Sequence, residues 1–396
     1  MGPVVASFVT FGLFWGSWAV MVFDIQRTFA LSDAGLGVLL AVAIALAGAS
    51  SAVMAHLANR VGAHRLLWMA LLAWAGLLIV LSAVHQKWAF VGSLVLVEIA
   101  GGSIDTAMNA EATQRFSGKP SALLRFHALF NCGAIVGAAA AGVLLHAGVS
   151  WRWIWPGVAA VALAVGLWTL SLGPESASAA PSAPAALSSS ARVAAGGNPV
   201  RRIRRDGLLL LLAIFALAEV TEGGVDTWGV LYLRNHLATG VLLGAGAYIV
   251  GQLVAATTRS AGSSVLGRLS ARHALFVGGC VAAGGILLES LSPLSGLAAL
   301  GLALGAGGAS LFWPLIMSNV SRLASQVVSA VGTFTAAGYI GWVAGAPVVG
   351  WVSQAFGPQH GLQVLAMAAL AVAVVALLGR REAHERVGRT SVVPEP

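Results

Sequence analysis

Apolar residues in this chain are not spaced one helical face at a time. They come in long unbroken runs, such as those from Leu208 to Ala218 and from Val364 to Leu378. A bilayer core about 30 Å thick needs roughly 20 apolar residues per helix. Runs of that kind predict spans at 3–22, 35–57, 66–84, 89–112, 123–146 and 152–172, then at 207–233, 241–261, 274–291, 295–318, 328–351 and 360–378. A closed barrel, the other structure that satisfies its backbone in lipid, would show alternating segments of about 10 residues. Here the runs are continuous Leu, Ala, Val and Gly. The pattern predicts an all-α membrane protein with twelve transmembrane helices in two six-helix halves.

The break between the halves has its own composition. Residues 173–206 open as Gly173-Pro174-Glu175, continue through Ala, Ser and Pro, and close on Arg201-Arg202-Ile203-Arg204-Arg205. Such a stretch cannot bury a core and reads as a disordered basic linker. The chain is thus expected to divide into a bundle at 1–172, the linker at 173–206, a second bundle at 207–380 and a tail at 381–396.

Composition agrees with lipid: 58% of the 396 residues are hydrophobic and 9% charged, with a mean hydropathy of +0.87. The net charge of +8 could suggest a nucleic-acid partner, but the basic residues lie between apolar runs and form no continuous patch. They report topology instead. With both termini and the linker in the cytoplasm, only Arg27, Lys87, Arg152 and Arg234 of the 22 Lys and Arg residues fall outside. That bias predicts a multi-pass protein of the inner (plasma) membrane with both termini cytoplasmic. Cys132 and Cys280 lie far apart in apolar runs, so no disulfide framework or cysteine metal site is indicated. The amino terminus has no charged leader region, and its first run is read as a permanent span.

A cytoplasmic linker between equal halves is the layout of a parallel internal repeat. Corresponding spans echo each other: the fifth carries Gly133, Gly137 and Gly142, and the eleventh carries Gly341, Gly345, Pro347 and Gly350. Small residues let helices approach closely or bend.

The turn after the second span reads Ala55-His56-Leu57-Ala58-Asn59-Arg60-Val61-Gly62-Ala63-His64-Arg65. It resembles the loop signature of the major facilitator family, Gly-x-x-x-Asp-Arg-x-Gly-x-x-Arg, at Arg60, Gly62 and Arg65, and departs from it at Ala55 and Asn59. Gly101-Gly102-Ser103-Ile104-Asp105-Thr106-Ala107-Met108-Asn109, Arg125-Phe126-His127-Ala128-Leu129-Phe130, and Glu222-Gly223-Gly224-Val225-Asp226-Thr227-Trp228 with Tyr232-Leu233-Arg234 are similar to the fucose-permease-like branch of that family. The resemblance implies the major facilitator fold, a transport role, and a gating loop at Asn59, Arg60, Gly62 and Arg65. In the family the acid at the position of Asn59 helps lock the closed interface by charge pairing; here that latch is neutral.

Acids inside spans are the candidate chemistry. A carboxylate at a helix centre costs roughly 2.5–3.5 kcal/mol even on insertion-based scales, so it usually faces a cavity, a partner or a proton path. Glu98 and Asp105 share one face of the fourth span, with Asn109 one turn further on; Glu219, Glu222 and Asp226 form an i, i+3, i+7 stripe on the seventh. Desolvation disfavours the charged form of a carboxyl, which lets such groups take up and release protons as access alternates. The alternative is that some of them hydrogen-bond to backbone or hydroxyls and hold helices together. Glu111 and Glu289, near span ends, are expected to be solvated at the interface.

Trp88, Trp151, Trp153 and Trp155 lie at predicted outer boundaries and are read as interface anchors. Trp15, Trp18, Trp228, Trp313 and Trp342 lie at or within span interiors, where an indole can stack on a sugar or pack against an apolar drug; Trp228 and Trp313 are preferred as cavity residues because Asp226 and Pro314 lie close to them. Asn131 is a further polar candidate. The histidines show no ligand spacing, so neither a metal nor any other cofactor is expected, and no nucleotide-binding loop appears.

These features predict a secondary active transporter working by alternating access, a proton-coupled symporter of a sugar-like or other small polar molecule. Proton-antiport export of amphiphilic compounds is the alternative reading, and an intramembrane enzyme a remote one. The expected partners are the solute, protons and the lipid bilayer, with no nucleic acid; the protein is expected to be a monomer.

Overall fold

Unbroken apolar runs leave backbone groups no partner in lipid except each other, and the described residues answer with helix almost throughout. The computed structural model describes residues 2–115, 120–173, 203–204, 208–265, 270–323 and 327–378. Of the expected linker only residues 173 and 203–204 are described, and the tail at 381–396 lies outside the described residues.

The first half is α1 (Gly2–Thr28), α2 (Asp33–Val61), α3 (Ala63–Ala83), α4 (Lys87–Arg115), α5 (Pro120–His146) and α6 (Ile154–Ser171), the last entered through a 3-10 turn at Trp151–Trp153. The second half begins with α7 (Leu209–Gly224), a π turn (Val225–Gly229) and α8 (Val230–Asn235), which together make one pass. Then come α9 (Val241–Val265), α10 (Ala271–Leu291), α11 (Ser295–Ala309) continued by α12 (Phe312–Leu323), α13 (Val327–Phe356) and α14 (Pro358–Leu378). Ten of the helical stretches are long and apolar enough to cross a membrane. The pass through α7 and α8 is broken by the π turn, and α13, with Pro347 inside it, runs for 30 residues, roughly 45 Å. Several helices overrun their apolar windows. α1, for instance, continues to Thr28, because helical hydrogen bonding persists into the polar boundary.

Helix ends carry ordinary capping chemistry. The Ser32 hydroxyl accepts from the Gly35 amide at the start of α2, and the Ser270 hydroxyl from the His273 amide at the start of α10. Gly62 alone joins α2 to α3, with φ +90°. A side chain there would be strained, which explains the glycine of the turn signature.

The two halves repeat one packing scheme. α1 packs on α5, α2 on α4, α3 on α4 and α6, and α1 on α6; in the second half α7 packs on α13, α9 on α11, α10 on α11 and α14, and α7 on α14. Small residues make the key seams possible. A Cβ on Gly12 or Gly16 would strike the carbonyl of Phe130 or Ala134, and one on Gly133 or Gly137 the carbonyl of Val9 or Leu13. On the equivalent seam a Cβ on Gly341 would strike the Ala216 carbonyl.

Between the halves, α2 packs on α13 and α5 on α9. The face at which α1 begins and α14 ends is called the terminal face below, and the opposite one the far face. The far face is closed by cross-half contacts. Arg234 of α8 pairs with Asp24 of α1 at 2.5 Å and donates to the Val20 carbonyl at 2.9 Å, its guanidinium lying 4.4 Å from the centre of the Phe23 ring. The Ala34 amide donates to Gln354, and Gly350 packs on the Asp33 carbonyl.

Two of the boundary tryptophans are not anchors. Trp88 and Trp153 are 78% and 73% exposed, but Trp151 and Trp155 are buried. Trp155 stacks on Trp18 with centroids 6.1 Å apart, and Trp151 meets it edge-on at 5.6 Å. The apolar core of the first half captures them because α1 offers Phe14 and Trp18 at one-turn spacing.

Candidate functional site

Ser51, Asp105, Glu219 and Tyr339 each lie ten to twelve residues from the terminal-face ends of α2, α4, α7 and α13, a depth of roughly 15–18 Å. They come from both halves, and Tyr339 ties them together. Its ring packs against Gly48 of α2, its hydroxyl hydrogen-bonds with Ser51, and both Asp105 and Glu219 lie within its electrostatic reach. Gly338 beside it leaves room for the Glu219 side chain, which a Cβ would approach to 3.1 Å. The Asn109 amide donates to the Asp105 carboxylate at 2.9 Å and to the Asp105 carbonyl at 2.9 Å. Thr106 donates to Gly102, and Ser51 donates to the Ala47 and Gly102 carbonyls, fixing the α2–α4 seam below the acid.

One turn nearer the far face lie Trp15, Glu222 and Trp342. Trp15 of α1 and Trp342 of α13 meet edge to face across the halves at 6.3 Å. The Trp342 ring rests over Gly223, the neighbour of Glu222, and its indole N–H is buried without an acceptor. Phe11 extends this aromatic wall toward Trp15 and Gly101. Together these groups line a polar layer with an aromatic layer above it, beneath the closed far face.

Not every expected residue joins. Asp226 falls in the π turn, which breaks the i, i+3, i+7 stripe; it accepts from Gln252 of α9 at 3.1 and 3.2 Å, apart from Asp105 and Glu219. Trp228, two residues on, is buried at the far-face seam, in a wall shared with Asp33, Tyr232, Asn235 and Ser353, and not in the polar layer. Trp313, at the start of α12, is 39% exposed. Glu98 is buried on the Asp105 face of α4, nearer the far face. Asn131 is buried on α5 with its amide nitrogen unpartnered.

At the gating loop Arg60 and Arg65 are exposed around Gly62, and the side chain of Asn59 lies outside the described residues, as do those of Arg125 and His127. Glu111, expected to be solvated, is instead 2% exposed and faces the His64 ring at 3.8 Å, because α3 and α4 close over it. Glu289, expected to be solvated as well, is fully buried. Sequence reading also missed Asp24 and Arg234 as partners, because nothing marks two residues 210 positions apart as a pair. Tyr339 was missed because a tyrosine in an apolar run reads as packing.

A family model of the Major Facilitator Superfamily matches residues 4–342. The chain belongs to that superfamily, whose members carry small solutes across membranes; it is a multi-pass membrane protein of a transporter family. It is 25% identical over 364 residues to the membrane protein MosC of Rhizobium meliloti, a match covering 89% of this chain and 84% of that one. The nucleoside transporter NupG superposes with a TM-score of 0.75 at 15% identity, covering 96% of this chain and 98% of NupG. A bacterial homologue of the human drug peptide transporters PepT1 and PepT2 superposes with a TM-score of 0.71 at 16% identity, covering 95% and 96%. At these identities the two structures share the fold.

Proposed function

We propose that this chain is a proton-coupled symporter of a small polar solute, working by alternating access in the inner (plasma) membrane with both termini in the cytoplasm. The observation that carries the reading is the layer in which Asp105 from the first half and Glu219 from the second converge on Tyr339. A polar solute entering lipid depth must exchange its water for protein hydrogen bonds. Asp105, Asn109, Ser51, Tyr339, Glu219 and Glu222 supply such groups from both halves, and Trp15 and Trp342 supply flat faces for a ring.

In this orientation the far face, joined across the halves by Asp24 and Arg234, is the outer gate. Bundles at 1–172 and 207–380 rock about the layer, the Asp24–Arg234 pair seals the outside, and the turn at Asn59, Arg60, Gly62 and Arg65 serves the inner gate. The unit is a monomer.

The test is proton movement in lightly buffered, de-energised cells expressing the protein, after pulses of pooled sugars, nucleosides and related polyols. Alkalinisation of the medium that is lost in Asp105→Asn and Glu219→Gln is expected. Acidification on loading cells with amphiphilic compounds would instead establish antiport export. Solute flux without proton movement would remove coupling.

A further inference from the structure

Glu289 lies two residues before the far-face end of α10. It is 0% exposed there, and neither carboxyl oxygen has a hydrogen-bond partner. Gly229, the last residue of the π turn, comes so close that a Cβ would stand 3.0 Å from Oε1 and 3.5 Å from Oε2. Gly301 brings the α11 backbone against the Glu289 amide. Tyr232 of α8 donates its hydroxyl to the Ser290 carbonyl at 3.0 Å and lies within electrostatic reach of the acid.

No cation faces Glu289 among the described residues. α11 carries no titratable side chain, His360 of α14 is exposed, and His236 at the end of α8 is exposed and stacks on the Tyr232 ring at 5.0 Å. Arg234 of α8 is engaged by Asp24, and Asp226 of the π turn is engaged by Gln252. Arg272 and His273 sit at the other end of α10. An ionised carboxylate without a donor is strongly disfavoured in such a place.

We propose that Glu289 is a proton-binding site of the second half, which keeps its proton while the far face is closed and releases it when the π turn moves and that face opens. The proposal rests on the proton-coupled reading above. The geometry links the two events. Gly229 packs on the carboxyl, and the six-residue helix α8 that follows it carries Arg234, the cross-half partner of Asp24. Water reaches Glu289 by displacing the π turn, and that displacement pulls α8 and its ion pair. On release the carboxylic O–H bond breaks, its electron pair stays on the carboxylate, and the proton passes to a water molecule admitted from the far face; reprotonation reverses the step before closure.

The full-length protein in lipid nanodiscs tests this, with Cys132 and Cys280 replaced by Ser and spin labels on Ala30→Cys and Ala238→Cys, exposed far-face positions in opposite halves. Distances are read at about pH 5 and about pH 9. The parent protein is expected to gain a longer-distance population at high pH. Glu289→Gln is expected to stay short at both, and Glu289→Asp to keep the response with a shifted midpoint. A Glu289→Gln protein that responds like the parent overturns the proposal; if Asp105→Asn then abolishes the response, the proton reading stands with its site in the central layer. No response in the parent overturns the proposal, and joined to absent proton movement in cells it overturns the coupled reading too. Should Glu289→Gln fail to fold, an unchanged midpoint in Glu289→Asp overturns it.

Discussion

α1 and the pass made by α7 and α8 occupy equivalent places in the two halves, and they solve the same packing problem differently. α1 is continuous for 27 residues and holds no acid before Asp24; it meets α5 through glycines on both helices and turns aromatic side chains to the centre. The α7–α8 pass carries Glu219, Glu222 and Asp226 and is interrupted by a π turn just after Gly223 and Gly224. Glycines lower helix stability, and π turns concentrate at functional sites. One half thus provides a stiff wall and the other a jointed one, and the joint sits between the polar layer and the far-face ion pair.

That contrast can be broken most severely on the stiff side. Gly16→Leu forces a side chain into the Ala134 carbonyl and is expected to cost about 3 kcal/mol or more, seen as a more than tenfold loss of monodisperse protein after solubilisation. Arg234→Ala leaves Asp24 unpaired; because Asp24 is 28% exposed, the loss is expected at about 2 kcal/mol, below that of a fully buried pair. Its readout is faster reaction of a thiol at Leu233→Cys, buried beside the pair, with an impermeant reagent. On the jointed side, Gly223→Ala pushes on the Trp342 indole, 2.7 Å from the added Cβ, and is expected to lower transport about fivefold with the fold intact, a loss of about 1 kcal/mol. Tyr339→Phe removes one hydroxyl from the polar layer and is expected to weaken apparent solute affinity only a few-fold, about 1 kcal/mol. A Gly223→Ala effect as severe as that of Gly16→Leu would erase the distinction between stiff and jointed walls.

Hydropathy made the helical passes legible because length and apolarity are local properties. The repeat was legible from its glycines, whose seams the structure places between corresponding helices. Asp105 and Asn109 were found together since one helix positions both. The break in α7 was not, because the stripe of Glu219, Glu222 and Asp226 assumes an uninterrupted helix. Depth misled at Glu111 and Glu289: closeness to a span end was taken for closeness to water, whereas neighbouring helices cover both. Trp151 and Trp155 failed for the same reason, since an aromatic residue at a boundary serves a core as readily as an interface. Asp24 with Arg234, and Tyr339 with its acids, are products of assembly between halves and leave no mark in local pattern.

Gly62 has a practical consequence for anyone handling this protein. With a single residue between α2 and α3, the turn offers no slack for a protease to draw into its cleft and no length in which an epitope tag could be housed. Cleavage or insertion there would unseat two helices at once, so reporters belong elsewhere. Resistance of this turn to limited digestion becomes a simple gauge of whether a purified sample is folded.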